Sequence, residues 1–215
     1  MKITCLADVE EFERTPYRDR WRAKNTYDLI CQAANNFPDR PAMKFQSTPE
    51  LDEEAIVVTY KELRARVIQT ANALHAAEVN IGGTTSIILP NLPENHYTLW
   101  GAQALGIAGQ INYMLEPAAL RDIMIESETQ ALVVLGPSPD FDIWEKTLSI
   151  IDQVPTLKTV LRVNSHTPEQ SASQTTGGVA IRDFTTALSA QNSSELVFER
   201  DINVEEVGIY FHTGG

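Results

Sequence analysis

The sequence predicts an α/β fold in which parallel β-strands are joined by helical crossovers. The first observation behind this prediction is an alternation of short apolar runs and helical patterns over residues 56–136. The second is the nearly continuous apolar run "ALVVLG" at 131–136, which is typical of a strand buried on both faces of a parallel sheet. Together they predict layers of strand–helix–strand units.

The alternation begins with a predicted strand at 55–58, "AIVV", followed directly by a helix. Thr59 and Glu62 have the spacing of a capping box, in which two side chains satisfy free amides at a helix start. The helix should end near Ala77, because the sequence "VNIGG" follows, and the next strand is at 84–89. The apolar positions at helical spacing predict a buried side formed by Leu63, Val67, Ile68, Ala71 and Leu74.

A loop is predicted at 90–95, "PNLPEN", because its two prolines remove backbone donors and restrict φ. We interpret Asn91, or the pair Glu94 and Asn95, as caps of the helix that follows at 94–105. A ligand-binding role for these polar groups is the alternative interpretation. The predicted buried positions of this helix are Tyr97, Leu99, Trp100, Ala104 and Leu105.

Two further helices continue the alternation. A short strand at 107–114 precedes a helix within 115–127, where Pro117 lies in the first turn and its missing N–H costs little. An amphipathic helix at 141–154 is followed by a strand at 158–163. The predicted inner sides of the two helices are Leu120, Ile123, Met124 and Ser127, and then Ile143, Trp144, Leu148 and Ile151.

The last part of the chain changes in composition. The polar stretch at 164–178 predicts a surface loop, because it has little to bury. A short helix is predicted at 181–190, and the apolar run at 207–211 predicts the last strand. Near the other end of the chain, a helix is predicted at 25–37 with Asn25 or Thr26 as its cap.

Charge and cysteine content limit the function classes. The formal net charge of -12 disfavours sequence-independent binding to nucleic acids, which depends on Lys and Arg contacts to phosphates. No apolar run is long enough for a transmembrane helix and no secretory signal is evident, so the expected compartment is the cytoplasm. Cys5 and Cys31 are expected to be free thiols packed as small apolar groups, and no metal-ligand spacing is present.

The stretch "VGIYFHTGG" at 207–215 carries the strongest local hint of chemistry. A strand followed by a Thr/Gly-rich turn is how phosphate-binding loops begin, because glycines let backbone amides approach an anion closely. Thr213, Gly214 and Gly215 are therefore candidate phosphate ligands, although glycine pairs are common in turns. His212 could act as a base, but no partner is evident, and a structural role is the other interpretation.

Several stretches together resemble the AMP-forming acyl-coenzyme A synthetases of the adenylate-forming superfamily. They are "VTYKEL", the helix with "ANAL", the loop "LPNLPEN", the helix and strand after it, and the ending "GIYFHTGG", all in the order and spacing of that family. The resemblance covers about residues 25–215 and is closest to bacterial members of the fatty-acyl type. It implies that the chain forms the N-terminal portion of the large adenylate-forming domain.

The resemblance also implies a role for the end of the chain. The family has a Thr/Ser/Gly-rich loop that ends in a Pro-Lys pair and holds the β- and γ-phosphates of ATP, and Thr213, Gly214 and Gly215 match its first three positions. Many relatives carry Ser at the position of Gly214. Gln110 and Ile111 replace a proline and a leucine that are common in relatives. The family's catalytic, Mg²⁺-binding and acyl-pocket residues correspond to positions after Gly215, so no catalytic or metal-binding residue is assigned.

The implied reaction has two steps. A carboxylate attacks the α-phosphate of ATP to give an acyl-adenylate and pyrophosphate, and the thiol of coenzyme A then displaces AMP. The implied cofactors are ATP, Mg²⁺ and coenzyme A, and the implied partner is a small-molecule carboxylate used in fatty acid metabolism. We expect the 215 residues to be a fragment that is inactive alone, because the phosphate loop is incomplete. The alternative is a non-catalytic binding or interaction module.

The domain prediction also follows from the resemblance. Residues 1–50 are expected to pack on a neighbouring subdomain, and residues 51–215 are expected to form a βαβ subdomain that ends inside the phosphate loop. Apolar surface and strand edges that the rest of such a domain would cover should then be exposed, so self-association of the isolated chain or a partly ordered N-terminus is expected.

Overall fold

The computed structural model describes residues 2–20, 23–48, 50, 52–163, 174–202 and 205–213. The helices are α1 (Leu6–Glu13), α2 (Tyr17–Arg20), α3 (Thr26–Asn36), α4 (Tyr60–Ala76), α5 (Pro93–Leu105), α6 (Pro117–Glu126), α7 (Ile143–Leu148) and α8 (Phe184–Ser189). The strands are β1 (Pro41–Phe45), β2 (Ile56–Thr59), β3 (Thr84–Ile88), β4 (Ile107–Gln110), β5 (Thr129–Leu135), β6 (Thr159–Val163), β7 (Gln174–Thr176), β8 (Val179–Asp183) and β9 (Ile209–Phe211).

A mostly parallel sheet organises the described residues. It has seven strands in the order β7-β8-β6-β5-β3-β4-β9, and β7 alone of these described strands is antiparallel to its neighbour. Because the other strands are parallel, their carboxyl ends lie at the same edge of the sheet. The predicted α/β class and parallel sheet are confirmed.

Helices cover both faces of the sheet. On one face, α4 packs against α3, α5 and α8, and on the other face α6 and α7 pack against each other and against β5. This division follows from right-handed crossovers, because the chain moves from β3 to β4 in one direction and returns past β3 to β5 in the other. Leu132, Val133 and Val134 of β5 are fully buried between the two layers, as the apolar run predicted.

The capping box at the start of α4 is confirmed. The Thr59 backbone N–H donates to the Glu62 carboxylate at 2.8 Å, and the Glu62 N–H donates to Thr59 Oγ1 at 3.3 Å. Asn25 caps α3 in the same way, since its side-chain oxygen accepts from the Asp28 N–H at 2.8 Å. The predicted inner side of α4 is buried at Leu63, Val67, Ile68, Ala71 and Leu74.

The first predicted strand is present, but its place in the sheet order was wrong. Strand β2 pairs antiparallel with β1, which the sequence did not predict, in a separate two-stranded sheet. Ile56 and Val57 are about half exposed (52% and 47%), and only Val58 is buried. A strand with one covered residue does not belong in the middle of a parallel sheet, where both faces are buried.

The predicted caps of α5 were wrong. Helix α5 begins at Pro93, and its N-cap residue, Leu92, makes no side-chain capping hydrogen bond. Proline at the first helical position has no N–H to satisfy, which reduces the need for a cap. Asn95 instead donates to the Pro90 carbonyl at 3.4 Å. Tyr97, Ala104 and Leu105 are buried as predicted, whereas Leu99 and Trp100 are partly buried against the core.

Helices α6 and α7 differ slightly from their predicted inner sides. Leu120 and Met124 are buried, and Ile123 and Ser127 are half-buried. Leu148 lies 36% exposed, while Thr147 is buried in its place and donates to the Ile143 carbonyl. Position 147 is four residues after Ile143 and therefore shares its face of the helix, whereas position 148 is rotated away.

The segment before β9 also departs from the prediction. Within the predicted loop 164–178, residues 164–173 lie outside the described part of the chain, but 174–176 form β7, which pairs with β8. Gly177 and Gly178 have φ values of +57° and +85° and form the hairpin turn. The first three residues of the predicted helix at 181–190 belong to β8 instead, because Val179 and Ile181 alternate as buried positions.

The N-terminal region contains helices that the sequence did not predict. Helix α1 has no buried residue, and Leu6 is 71% exposed. Cys5 is exposed, so the prediction that it packs as an apolar group was wrong, whereas Cys31 is half-buried. Both thiols are free, as expected. Among the described residues, no helix is both long and apolar enough to cross a membrane.

Candidate phosphate-binding site

Strand β9 brings the candidate phosphate loop to the carboxyl edge of the sheet. It runs parallel to β4, with Ala108 opposite Ile209 and Gln110 opposite Phe211. Residues that follow β9 therefore leave the sheet at the edge where β3, β4 and β5 also end. Crevices at this edge are where open α/β sheets bind ligands.

Thr213 is exposed at this edge, two residues after β9 ends. Its hydroxyl is therefore accessible to a ligand. Gly214 and Gly215, the other two candidate ligands, lie outside the described residues. The structure thus shows where Thr213 lies, while the roles of all three residues stay predictions.

A cleft of about 430 Å³ lies between the residues that follow β4 and the end of β9, and the residue before Thr213 is part of its lining. His212 lines it and is half-buried, and its Nδ1 atom is buried without a hydrogen-bond partner. The other lining residues combine apolar side chains with two amides, and they are Leu89, Gln110, Ile111, Asn112, Tyr113, Leu115 and Phe211. No carboxylate lies among these residues, so nothing in this lining repels an anion.

A larger cleft of about 570 Å³ at the same edge is less suited to phosphate. Its lining residues follow β4 and β5 in the chain, and Lys146 is its one basic lining residue. Asp140, Asp142 and Glu145 line it as well, and Asp142 pairs with Lys146 at 3.1 Å. Repulsion between these carboxylates and an anion favours the smaller cleft as the candidate site.

The described residues provide no evident metal centre. Among them, no group of three or more His, Cys, Asp or Glu side chains is placed to hold a metal ion. The Mg²⁺ expected from the sequence resemblance is therefore assigned to no residue here.

Two residues with long-range contacts around the segment that leads to β9 escaped the sequence prediction. Asn72 of α4 contacts the segment 192–197 at sequence separations of 120 or more. Arg200 contacts the end of α5 and the residue before β4 at separations of 97 and 94. No pattern within a few consecutive residues predicts contacts between residues so far apart in the sequence. The one available signal was an asparagine within the apolar part of α4, since a buried amide requires hydrogen-bond partners.

Comparison with known proteins identifies relatives of this fold. A family model described as "AMP-binding enzyme" matches residues 30–199. The marinolic acid–CoA ligase of Pseudoalteromonas sp. is 29% identical over 213 residues, which cover 99% of this chain and 31% of that ligase. Acetyl-coenzyme A synthetase 1 of Candida albicans is 25% identical over 159 residues, covering 70% of this chain and 22% of that enzyme.

Solved structures show the same fold at lower identity. An anthranilate CoA ligase in complex with anthranoyl-AMP superposes with a TM-score of 0.69 at 17% identity, covering 89% of this chain and 31% of that one. A long-chain-fatty-acid-CoA ligase from Archaeoglobus fulgidus superposes with a TM-score of 0.67 at 16% identity, covering 88% and 34%. The chain therefore spans between 22% and 34% of the length of these relatives.

Proposed function

Because the chain belongs to the AMP-binding enzyme family, we propose that it supplies the N-terminal part of the nucleotide-binding fold of an ATP-dependent acyl-CoA ligase. The observation that carries this proposal is the parallel pairing of β9 with β4, which brings Thr213 to the carboxyl edge of the sheet. A phosphate group at this position would meet backbone amides and a hydroxyl that follow directly after a strand.

The chain's own contribution to the reaction would be to bind and orient phosphate. The proposed ligands are the Thr213 hydroxyl and the backbone amides around Gly214 and Gly215. Such donors stabilise negative charge that develops on phosphate oxygens as pyrophosphate leaves during adenylate formation. ATP and coenzyme A would supply the reacting phosphate and thiol, and Mg²⁺ would add charge neutralisation from ligands outside the described residues.

The proposed substrate is a carboxylic acid of the fatty-acyl class. This proposal depends on the sequence resemblance around "FHTGG". The relatives described above carry the names of different acids, so their names do not identify one substrate. A role in fatty acid metabolism and a cytoplasmic location remain predictions.

We expect the 215-residue polypeptide to be inactive alone, because Thr213, Gly214 and Gly215 are only the first positions of the implied loop. The test is ATP-dependent pyrophosphate release with a panel of short- to long-chain carboxylates. It should be run on this polypeptide and on the product of its complete reading frame. The proposal expects turnover from the product of the reading frame and none from the 215 residues.

Two results would contradict this proposal. Turnover by the 215 residues would show that the missing loop positions are dispensable. A complete reading-frame product that binds partners but releases no pyrophosphate with any carboxylate would favour a non-catalytic binding module instead. A denaturation control on both polypeptides separates lack of activity from lack of folding.

The proposal also implies a covering partner for exposed apolar groups. Tyr210 and Phe211 of β9 are 41% and 67% exposed, and within the described residues no strand pairs with the outer edge of β9. In the isolated chain this edge favours self-association. The division into an N-terminal segment of residues 1–50 and a βαβ subdomain of residues 51–215 is likewise part of the proposal.

A further inference from the structure

We propose that Arg200 is a positioning residue that holds β9, and with it the phosphate loop, against β4. The inference rests on the proposed function, because the loop follows β9 directly. It concerns how the site is held in place, and it assigns a role to a side chain that does not reach the carboxyl edge itself.

Strand β9 has little of its own to fix its position. It contains three residues, Ile209–Phe211, and pairs with β4 on one side only among the described strands. Ile209 is half-buried, and the two residues after it are exposed. Apolar burial, which fixes the central strands, is therefore weak here. A short edge strand of this kind slips in register unless other contacts hold it.

Arg200 joins three parts of the structure with one guanidinium group. Its Nη1 donates to the carbonyls of Gln103 and Gly106 at 2.9 and 3.2 Å. Its Nη2 donates to the Glu206 carboxylate at 2.7 Å. The Arg200 side chain is 7% exposed, so its bonds to the two carbonyls are largely shielded from water, whereas the Glu206 side chain is 42% exposed.

The acceptors of Arg200 lie at the end of α5, just before β4 and in the segment that leads to β9. The Gln103 carbonyl lies in the last turn of α5, where carbonyls lack partners within the helix and a cation is favourable. The Gly106 carbonyl immediately precedes β4. Glu206 lies three residues before β9, so Arg200 ties the approach to β9 to the start of β4. The Ala108 N–H then donates to the Gly208 carbonyl at 3.1 Å, which begins the β4–β9 ladder.

Asn72 anchors the same connection upstream. Its side-chain amide donates to the carbonyls of Asn192 and Glu195 at 3.0 and 2.9 Å and accepts from the Val197 N–H at 3.0 Å. Asn72 is fully buried. The chain from α8 thus crosses α4 along a fixed path before Arg200 holds it beside β4.

The geometry gives a direct route from Arg200 to the phosphate loop. Thr213 lies seven residues after Glu206 along a chain that is extended over β9. A slip by one residue along β4 would move the loop by about 3.3 Å, the rise of one residue in a strand. Hydrogen-bonding groups displaced by this distance no longer reach their acceptors. We therefore expect loss of the Arg200 contacts to weaken binding of the ATP phosphates selectively.

The test compares Arg200→Met, Arg200→Lys and the control Arg66→Met. Methionine removes all three hydrogen bonds, whereas lysine keeps the charge and can restore part of them. Arg66 is exposed on α4, and its guanidinium donates to the Gln69 side-chain oxygen at 3.3 Å, so its replacement controls for loss of a surface arginine. The first measurement is hydrogen exchange at the β9 amides of the 215-residue chain. The second is the KM for ATP and for the carboxylate in the product of the complete reading frame.

For Arg200→Met we expect exchange of the β9 amides to accelerate by about tenfold or more, while the amides of β5 keep their protection. We expect the KM for ATP to rise by about tenfold while the KM for the carboxylate stays within about twofold. Arg200→Lys should give intermediate values and Arg66→Met should match the unchanged protein. A merely structural role would lower the active fraction, and therefore kcat, without changing the KM for ATP.

Unchanged exchange at β9 in Arg200→Met would overturn the proposal. Faster exchange with an unchanged KM for ATP would also overturn it, because β9 would then be held by Arg200 without effect on the site. If the unchanged reading-frame product releases no pyrophosphate, the proposed function fails and the ATP part of this inference fails with it. Hydrogen exchange still reports separately whether Arg200 holds β9.

Discussion

The middle of the sheet and its β9 edge are held in place by different forces. Strand β5 has neighbours on both sides, and Leu132, Val133 and Val134 are fully buried. Strand β9 has one described neighbour, and Phe211 is 67% exposed. Burial of apolar surface therefore fixes the middle, whereas polar contacts from distant residues fix the edge. The candidate site lies at the weaker of the two.

The largest effect is expected for Leu132→Ala in the middle of the sheet. Removing a fully buried leucine costs about 2–5 kcal/mol of unfolding free energy, because it leaves a cavity in addition to the lost burial. Urea denaturation followed by circular dichroism measures this change. Ile125→Ala on α6 is the control, since Ile125 is 40% exposed and its truncation should cost far less. Equal losses for both variants would contradict the contrast in burial.

The middle of the sheet was predictable because its signals are local. The apolar run of β5, the capping box of Thr59 and Glu62, and the buried side of α4 are each encoded within a few consecutive turns of sequence. A helix face or a doubly buried strand needs no knowledge of its partner to be recognised. These elements accordingly appear in the structure with small differences at their ends.

The second largest effect is expected at the turn between α5 and β4. A Cβ atom added at Gly106 would lie 2.1 Å from the Gly83 carbonyl oxygen, so Gly106→Ala must displace backbone. We expect a loss of about 1–3 kcal/mol, the usual cost of overpacking. Gly208→Ala before β9 is the matched control, because its added Cβ would meet only Gln103 Nε2 at 3.9 Å.

Thermal unfolding of the two glycine variants compares how tightly the residues just before β4 and just before β9 are packed. A large loss for Gly106→Ala with a small one for Gly208→Ala would show that the start of β4 is tightly packed and the start of β9 is open. A Gly208→Ala variant as unstable as Gly106→Ala would contradict the description of β9 as a loosely covered edge.

The edge of the sheet could not be predicted from local patterns. The acceptors of Arg200 on α5 and before β4 lie 97 and 94 residues away in the sequence. Strand β4, the neighbour of β9, is about as far from β9 in the sequence. The pairing of β1 with β2 was missed for a related reason. The five residues of β1 show no clear alternation of apolar and polar side chains that would distinguish a strand from a loop. The interpretation of Thr213 came from a strand followed by a Thr/Gly-rich turn and from family resemblance, and its role stays a prediction.

An intermediate effect is expected for Phe211→Lys at the exposed edge. A lysine on an edge strand opposes edge-to-edge pairing and removes apolar surface. We expect the dissociation constant for self-association of the isolated chain to rise by about tenfold or more. Sedimentation velocity over a range of concentrations measures this constant. Ile81→Lys is the control, because Ile81 is 50% exposed and lies in a turn rather than on a strand edge. A monomeric unchanged chain would contradict the prediction.

A smaller effect is expected for Thr59→Ala at the start of α4. Loss of an N-cap side chain costs about 1 kcal/mol, because the Glu62 N–H and the Glu62 carboxylate lose the partners that Thr59 Oγ1 provides. Glu62→Gln is the matched control, since glutamine can still accept from the Thr59 N–H in a capping box. Urea denaturation should show a clearly smaller loss for the control, and equal losses would contradict the capping interpretation.

The smallest effect concerns Glu53, in the exposed connection between β1 and β2. Its carboxylate accepts hydrogen bonds from the Ser47 hydroxyl, the Thr48 N–H and the Thr48 hydroxyl at 2.7–2.8 Å, and from the Ser47 N–H at 3.1 Å. These bonds lower the pKa of Glu53 from its ordinary 4.5 to about 2, and the Ser47 hydroxyl contributes most. Because the folded pKa is the lower one, the contribution of these bonds to stability is present above pH 4.5.

This contribution should disappear as the pH falls from 4.5 towards 2, when the carboxylate becomes protonated. Carboxyl NMR should therefore give a Glu53 midpoint near 2, and the Thr48 amide should lose protection over the same interval while the amides of β5 do not. In Glu53→Gln the Thr48 amide should show no such pH dependence. A midpoint near 4.5 would mean that the four hydrogen bonds do not persist in solution, and that this exposed connection, unlike the buried middle of the sheet, is not held by its polar contacts.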